Sequence, residues 1–322
     1  MALLSIEDLK VHYPVRTGQL GTHKGVVKAV DGVSLEIDVN ETLAIVGESG
    51  CGKSTMGNAV LGLAPTTGGK ISFEQRDLST LDPRQRRSVW RDMQVIFQDP
   101  VSALNPRRTI AQSIAEPLVI HGYPKAEIAE RVDELMSLVG LNEDQRSRRP
   151  KELSGGQRQR VVIARALALS PKLVICDEPV SALDVSIQSQ ILNLLIRLQR
   201  ELNLSYLFIA HDLSVVRHIA DRVAVMYLGL VVEEGATEQV FSNPQHPYTQ
   251  ALLSAIPVPD PNRRRKRIVL QGELPSPLNP PIGCPFVTRC PIAVGMCEKK
   301  RPDLASAGNL HRVRCHLQQG SK

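Results

Sequence analysis

The stretch GESGCGKST, residues 47–55, decides the fold that we predict for this chain. It matches the pattern G-x-x-x-x-G-K-[ST] at Gly47, Gly52, Lys53 and Ser54. The apolar segment TLAIVG precedes it and the helical pattern KSTMGNAVLGL continues from it, which is the strand-to-helix setting that the pattern requires. Glycines let backbone N–H groups approach phosphate oxygens, and the helix N-terminus adds a favourable dipole. The stretch therefore predicts a phosphate-binding loop, called the P-loop below.

The P-loop carries the groups expected to bind the phosphates of a nucleotide. Lys53 supplies a point charge for the β- and γ-phosphates, and the hydroxyl group of Ser54 is expected to ligate Mg²⁺. The predicted nucleotide-binding positions of the loop are Gly47, Glu48, Ser49, Gly50, Cys51, Gly52, Lys53, Ser54 and Thr55.

A second acidic motif, LVICDEPVSALD, occupies residues 173–184. Its four apolar residues predict a buried strand, and Asp177 at the strand end is expected to hold Mg²⁺ through water. Glu178 follows and points elsewhere, so it is predicted to act as the general base for an attacking water. Acids on an ordinary surface are not normally preceded by a buried strand, which favours a catalytic role for this pair.

The order of the remaining patterns predicts the architecture. Residues 1–46 favour short strands, a helical period runs from Leu104 to about Leu141, and strands then alternate with helices from PKLVICDEP to RVAVMYLGLVVEEG. This alternation predicts a mainly parallel α/β sheet, with a helical insert at about residues 99–165. After residue 258 the composition becomes basic and proline-rich, so we predict one domain over residues 1–258 and an extension over 259–322.

Composition restricts the class of protein. The 322 residues carry a formal charge of +6, and 42% of them are hydrophobic, which is ordinary for a globular protein. The segment MALLSIEDLKVHYPV lacks the basic and apolar regions of a signal peptide, and no run of 18 apolar residues occurs. We therefore expect a cytosolic protein that cannot span a membrane by itself.

The segment LSGGQRQRVVIARAL, residues 153–167, makes the chain resemble the ATP-binding-cassette ATPases. The resemblance implies a RecA-like P-loop core with an antiparallel β subdomain and a helical signature subdomain. It also implies that two cassettes close head to tail over two ATP molecules, with each site built from one chain's P-loop and the other chain's signature. The signature residues are Leu153, Ser154, Gly155, Gly156 and Gln157.

Four further positions match the family in order. Gln98 in VIFQDP resembles the loop glutamine that reaches Mg²⁺ and water and reports occupancy to membrane subunits. Asp184 in SALD resembles an acid at the dimer interface, and His211 in LFIAHD resembles the switch histidine that contacts the γ-phosphate and orders Glu178. Tyr13 in VHYPV is expected to stack on adenine, with a core or surface tyrosine as the alternative.

The C-terminal region narrows the resemblance to one group of importers. NPQHPYTQALLSAIP and GELPSPLNPPIGCPFVTRCP resemble the extension of ATPase subunits from oligopeptide and dipeptide importers, closest to the second ATPase subunit of dipeptide systems. The resemblance implies a heterodimer with a homologous ATPase, two transmembrane permease subunits, an extracytoplasmic solute-binding protein, and a place on the cytoplasmic side of the membrane. Related importers handle nickel, glutathione or sugars, so the solute stays open.

A rival interpretation is a nucleic-acid-associated ATPase that uses the basic run RRRKR, residues 263–267. Such a run is usually a solvated linker, and aromatic residues for base stacking make up only 3% of the chain. We therefore expect no nucleic-acid partner.

The cysteines of the extension form the last candidate site. Cys284, Cys290, Cys297 and Cys315 have the spacing C-x5-C-x6-C-x17-C, and His316 follows. A reduced compartment disfavours disulfides, four thiolates suit a [4Fe–4S] cluster, and the family resemblance implies one there. A zinc site and unligated cysteines remain alternatives. The other two cysteines, Cys51 and Cys176, are predicted to be small packing residues.

Overall fold

The structure is a computed structural model, and it describes residues 2–17, 23–256, 267–308 and 311–318. Most of the basic run at residues 263–267 lies outside the described residues. The chain divides into two compact units. The first contains residues 38–41 and 81–208, and the second contains residues 2–37, 42–80 and those from 209 onward.

The strands are β1 (Ala2–Thr17), β2 (His23–Asp38), β3 (Thr42–Val46), β4 (Gly68–Phe73), β5 (Arg76–Asp77), β6 (Met93–Ile96), β7 (Leu173–Asp177), β8 (Ser205–Ala210), β9 (Arg222–Tyr227), β10 (Leu230–Ala236), β11 (Ala305–Ser306) and β12 (Arg312–Val313). The α-helices are α1 (Lys53–Val60), α2 (Pro83–Asp92), α3 (Pro100–Ala103), α4 (Ile110–Ile120), α5 (Lys125–Leu138), α6 (Gly155–Leu167), α7 (Val185–Leu202), α8 (Leu213–Ile219), α9 (Thr237–Ser242), α10 (Pro247–Ser254) and α11 (Gly295–Lys299).

The first unit combines parallel strands with most of the helices. β6 and β7 pair in parallel from Met93 opposite Leu173 to Ile96 opposite Cys176, and β8 lies next to β7. Helix α4 packs against α5 and α6, and its apolar stripe is buried. These helices confirm the helical period predicted after Leu104, because apolar residues three and four apart form one face.

The second unit contains the P-loop strand and the antiparallel strands. One sheet has the order β2-β1-β4-β5, with β1 antiparallel to β4. In the other, β3 pairs in parallel with β9, and β9 pairs antiparallel with β10. The apolar run RVAVMYLGLVVEEG is therefore two strands rather than one, because Leu228 and Gly229 both have positive φ, 45° and 74°. Two left-handed residues in succession favour a tight hairpin turn.

The described part of the C-terminal extension joins the same unit. β12 pairs antiparallel with β10 and with β11, so the extension adds strands at this edge of the sheet. Phe286 and Val313 are fully buried. Across the described residues, every helix is too short or too polar to cross a bilayer.

Candidate functional site

The P-loop lies between the end of β3 at Val46 and the start of α1 at Lys53, as the sequence predicts. Gly52 has a φ of 107°, and a Cβ placed there would lie 2.1 Å from the carbonyl oxygen of Ala29. A Cβ at Gly47 would lie 2.2 Å from the carbonyl oxygen of Met226. The loop backbone is therefore pressed against its neighbours, and only glycine fits at these two positions.

The Lys53 side chain is buried against the backbone of the P-loop. Its side chain is 5% exposed, and Nζ donates hydrogen bonds to the carbonyl oxygens of Gly47 at 2.8 Å and Glu48 at 3.1 Å. Cys51 is buried beside this ammonium group, and burial raises the pKa of its thiol. The structure thus confirms Cys51 as a packing residue and gives Lys53 carbonyl partners that a phosphate can replace.

The second acidic motif lies where the sequence predicts it. Leu173 to Cys176 are buried in β7, and Asp177 ends the strand. Glu178 follows with a φ of 47°, in the left-handed region that non-glycine residues rarely adopt. The side chain of Gln98 donates a hydrogen bond from Nε2 to Oε2 of Glu178 at 2.9 Å. The structure therefore brings together two predicted site residues that are 80 positions apart.

The strained backbone at Glu178 has a physical meaning. A left-handed non-glycine residue costs on the order of 1–3 kcal/mol, and such strain persists where the surroundings over-determine it. The positive φ changes the direction of the chain directly after Asp177. Sequence reasoning did not predict the positive φ, because Glu178 is not a residue type that favours it.

The signature segment forms the start of α6. The Oγ atom of Ser154 accepts a hydrogen bond from the Gln157 N–H group at 3.3 Å, and the Oε1 atom of Gln157 accepts one from the Ser154 N–H group at 2.9 Å. This reciprocal capping box fixes the first turn of the helix. A Cβ on Gly156 would lie 2.7 Å from Cγ2 of Ile187, so this turn also packs closely on α7. The capped N-terminus suits binding of an anion.

The other predicted residues occupy defined places in the two units. Asp184 is the N-cap residue of α7, and its side chain makes no capping hydrogen bond. His211 directly follows β8, as predicted, and Asp212 caps α8 by accepting the Ser214 N–H group at 2.8 Å. Tyr13 lies in β1 and is partly buried. Stacking of Tyr13 on adenine stays a prediction.

The four cysteines of the extension lie in one region. Cys284, Cys297 and Cys315 are buried and Cys290 is half-buried. Burial raises the pKa of Cys284 to about 11, and the other three thiols contribute to that rise. The Cys284 N–H group donates to the carbonyl oxygen of Cys297 at 2.7 Å. The four cysteines thus influence one another's ionisation, and two of them are joined by a backbone hydrogen bond.

Their arrangement nevertheless does not support the predicted metal centre. In the described parts of the chain, no group of three or more His, Cys, Asp or Glu side chains is placed to hold a metal ion. Nε2 of His316 lies 2.9 Å from the carbonyl oxygen of Lys300, so that nitrogen must donate and cannot ligate zinc. The prediction of a [4Fe–4S] or zinc site is thus not confirmed, because cysteine spacing brings the thiols near each other without setting their orientation.

Two contacts of the P-loop were missed by sequence reasoning. Arg289 of the extension forms a bidentate ion pair with Glu48, with distances of 2.8 and 3.1 Å. The hydroxyl oxygen of Tyr248 accepts a hydrogen bond from the Glu48 N–H group at 2.8 Å. These partners lie 241 and 200 residues away along the chain, and no local sequence signal connects them.

Comparison with known proteins places this geometry in a family. Residues 30–181 match the family model described as ABC transporter, and residues 232–297 match that described as oligopeptide/dipeptide transporter, C-terminal region. The chain is similar to the oligopeptide transport ATP-binding protein AppF of Bacillus subtilis, with 53% identity over 319 residues, 98% of this chain and 97% of AppF.

A second relative and a solved structure agree with this placement. The dipeptide transport ATP-binding protein DppF of Escherichia coli is 51% identical over 307 residues, 95% of this chain and 92% of DppF. The dimeric ATP-binding cassette MJ0796, in a post-hydrolysis state bound to ADP and Pi, superposes with a TM-score of 0.64 and 29% identity, covering 73% of this chain and 98% of that chain. The chain therefore belongs to the oligopeptide and dipeptide transport ATP-binding proteins of the ABC transporter family.

Proposed function

We propose that this chain is the ATP-hydrolysing subunit of an ABC importer that takes up di- and oligopeptides. The observation that carries the hydrolytic part is the hydrogen bond from Gln98 to Glu178, because it joins a predicted water-positioning amide to the predicted general base. The peptide part is supported by similarity over 95–98% of the chain to relatives named for oligopeptide and dipeptide transport.

Residues of this chain and of a partner cassette together supply the hydrolytic roles. Glu178 accepts the proton of the attacking water, while Lys53 and the signature turn of a partner cassette stabilise charge on the γ-phosphate; the turn Ser154–Gln157 of this chain does the same at the partner's site. We assign to His211 the contact with the γ-phosphate and the ordering of Glu178. Lys53 must exchange its carbonyl partners for phosphate oxygens when ATP binds.

Ser54, Gln98 and Asp177 are the residues that would hold Mg²⁺. A hydroxyl group, an amide oxygen and a carboxylate are all hard oxygen donors that suit this ion. The Gln98 amide fits the role, since its Nε2 donates to Glu178 and the amide oxygen is the atom left to act as ligand. When bound, the ion would neutralise charge on the β- and γ-phosphate oxygens.

A dimer with a homologous ATPase is supported by the presence of both a P-loop and a signature in the chain. One P-loop and one signature serve two different nucleotides, and a similar cassette has been solved as a dimer with ADP and Pi. We propose a heterodimer on the cytoplasmic side of the membrane, with Asp184 at its interface. Two permease subunits and an extracytoplasmic solute-binding protein complete the importer.

Transport assays test the proposal directly. The chain is reconstituted in proteoliposomes with its permease subunits, its partner ATPase and the binding protein, and uptake of a labelled dipeptide is measured. We expect uptake that requires ATP and that Lys53→Gln abolishes. If nickel, glutathione or a sugar stimulated ATP hydrolysis by the reconstituted complex and peptides did not, the proposal of peptides as the solute would be wrong.

We also propose that the four cysteines hold a [4Fe–4S] cluster after assembly, with zinc as the alternative. The proximity of the thiols supports this, although their present arrangement forms no metal site. Because burial raises the pKa of Cys284 to about 11, binding must displace protons, and affinity should rise with pH. Anaerobic purification with iron, sulfide and zinc analysis decides between the alternatives, and a colourless, metal-free active protein would exclude both.

A further inference from the structure

Glu48, the second residue of the P-loop, is held by three separate groups. Its carboxylate receives two hydrogen bonds from the guanidinium of Arg289, its N–H group donates to Tyr248, and its carbonyl oxygen accepts from Lys53. Lys53 belongs to the loop itself, whereas Arg289 reaches in from the C-terminal extension. Any movement of Glu48 therefore strains contacts with a part of the chain outside the P-loop.

The Arg289 side chain contacts both the Glu48 carboxylate and the ring of Tyr227. It is 10% exposed, both terminal nitrogens point to the Glu48 carboxylate, and its guanidinium lies 6.0 Å from the ring centre of Tyr227. A bidentate, charge-assisted pair is stronger and more directional than a single hydrogen bond. Partial burial also reduces the screening that weakens ion pairs on a surface. The pair therefore restricts both the position and the direction of Glu48.

An aromatic cluster fixes the segment that carries Arg289. Phe286 is fully buried, with its ring centre 5.2 Å from that of Tyr227 and 5.5 Å from that of Tyr248. Tyr227 and Tyr248 lie edge to face at 4.7 Å. A single turn of 3-10 helix, Val287–Arg289, connects Phe286 to the arginine. The same cluster thus positions both Arg289 and the Tyr248 hydroxyl group against Glu48.

We propose that Arg289 is a positioning residue of the nucleotide site and that, through it, the C-terminal extension is a structural part of the P-loop. Lys53 donates hydrogen bonds to the carbonyl oxygens of Gly47 and Glu48. When Lys53 turns to phosphate those bonds are lost, and the contacts of Glu48 with Arg289 and Tyr248 keep the loop in its receiving conformation. The inference rests on the ATP binding proposed above.

A double-mutant cycle on the full chain tests this. The dissociation constant for ATP with Mg²⁺ is measured for the wild type, Glu48→Gln, Arg289→Gln and the double variant. We expect each single change to weaken binding about tenfold, and the double change to weaken it by about the same factor, because both remove one interaction. Arg312→Gln is the matched control, since Arg312 is an arginine of the same extension whose partner, Glu234, belongs to β10 and not to the P-loop. This variant should bind ATP like the wild type.

The kinetic readout separates positioning from general stability. In Arg289→Gln, the KM for ATP should rise about tenfold while kcat stays within about twofold, and Arg289→Lys, which keeps the charge but not the bidentate contact, should fall between. Binding by Arg289→Gln within twofold of the wild type, or single effects that multiply in the double variant, would overturn the inference. If Arg289→Gln does not fold, the Arg289→Lys and Glu48→Gln affinities decide. A wild-type chain that fails to bind ATP would instead contradict the proposed function.

Discussion

Replacing Glu178 by Gln removes the proposed general base and keeps a side-chain oxygen that can accept the hydrogen bond from Gln98. The Gln98 amide donates to the Glu178 carboxylate at 2.9 Å, and a glutamine oxygen at the same position can accept the same hydrogen bond. The two side chains have the same length, so the left-handed backbone at this residue carries an equal strain in both proteins. The substitution therefore changes the proton acceptor without disturbing the fold around it.

The expected magnitudes differ for stability and for rate. Exchanging a hydrogen bond to a charged acceptor for one to a neutral acceptor costs about 1 kcal/mol of unfolding free energy. Loss of a general base lowers the rate about 10²- to 10⁴-fold, which corresponds to about 3–5 kcal/mol in the activation free energy. Hydrolysis should therefore fall by two to four orders of magnitude in a protein that stays folded and still binds ATP.

Phosphate release by the purified importer complex measures this prediction, with ATP affinity and the association state determined on the same samples. Glu178→Gln should bind ATP within about threefold of the wild type and accumulate as a closed ATP-bound dimer. Glu201→Gln makes the same chemical change on an exposed part of α7 and should leave kcat unchanged. Hydrolysis by Glu178→Gln at the wild-type rate would refute the assignment of the base.

Three further predictions concern pH, a buried acid and the signature helix. Burial lowers the pKa of His246 to about 4, so below about pH 6.5 the unfolded chain binds a proton that the folded chain does not bind. The free energy of unfolding should therefore fall by up to about 3 kcal/mol between pH 6.5 and 4. His246→Asn should flatten that dependence in urea titrations, and an unchanged slope would contradict the assignment. Glu233→Gln should lower the free energy of unfolding by about 2–4 kcal/mol in the same titrations. The buried carboxylate accepts a hydrogen bond from the His246 N–H group at 2.9 Å and pairs with His311 at 2.7 Å. Ser154→Ala should remove about 1 kcal/mol with the capping box, and a thermal midpoint equal to the wild type's would argue against it.

Much of the site could be predicted from the sequence because its physics is local. The P-loop needs a strand, glycines that fit close to other backbone, and a helix start, and all of these lie within about fifteen consecutive residues. The same holds for β7 with Asp177 and Glu178, and for the capped start of α6 at Ser154. Here the pattern that specifies the element also carries the chemistry.

Features that depend on distant partners could not be predicted. Nothing in the segment VTRC distinguishes Arg289 from a solvated arginine, since its partner Glu48 is 241 residues away. The spacing of the four cysteines predicted a metal centre, but in the described residues no group of three or more ligand side chains is placed to hold a metal ion, because spacing along the chain does not set where side chains point. The hairpin of β9 and β10 was predicted as one strand, because the apolar run continues through its turn and only Gly229 signals the break.

The pairing of Glu233 with His311 has a consequence for folding during synthesis on the ribosome. The two residues are 78 positions apart, and β12, which covers the edge of β10, begins at Arg312. At about 5–20 residues per second, a ribosome needs roughly 4 to 16 seconds to cover that distance. During this interval the carboxylate lacks its contact with His311, and β10 has an unpaired edge, which is a template for pairing with other chains. A nascent chain stalled before residue 311 should therefore be the species most prone to misassociation and most dependent on chaperones.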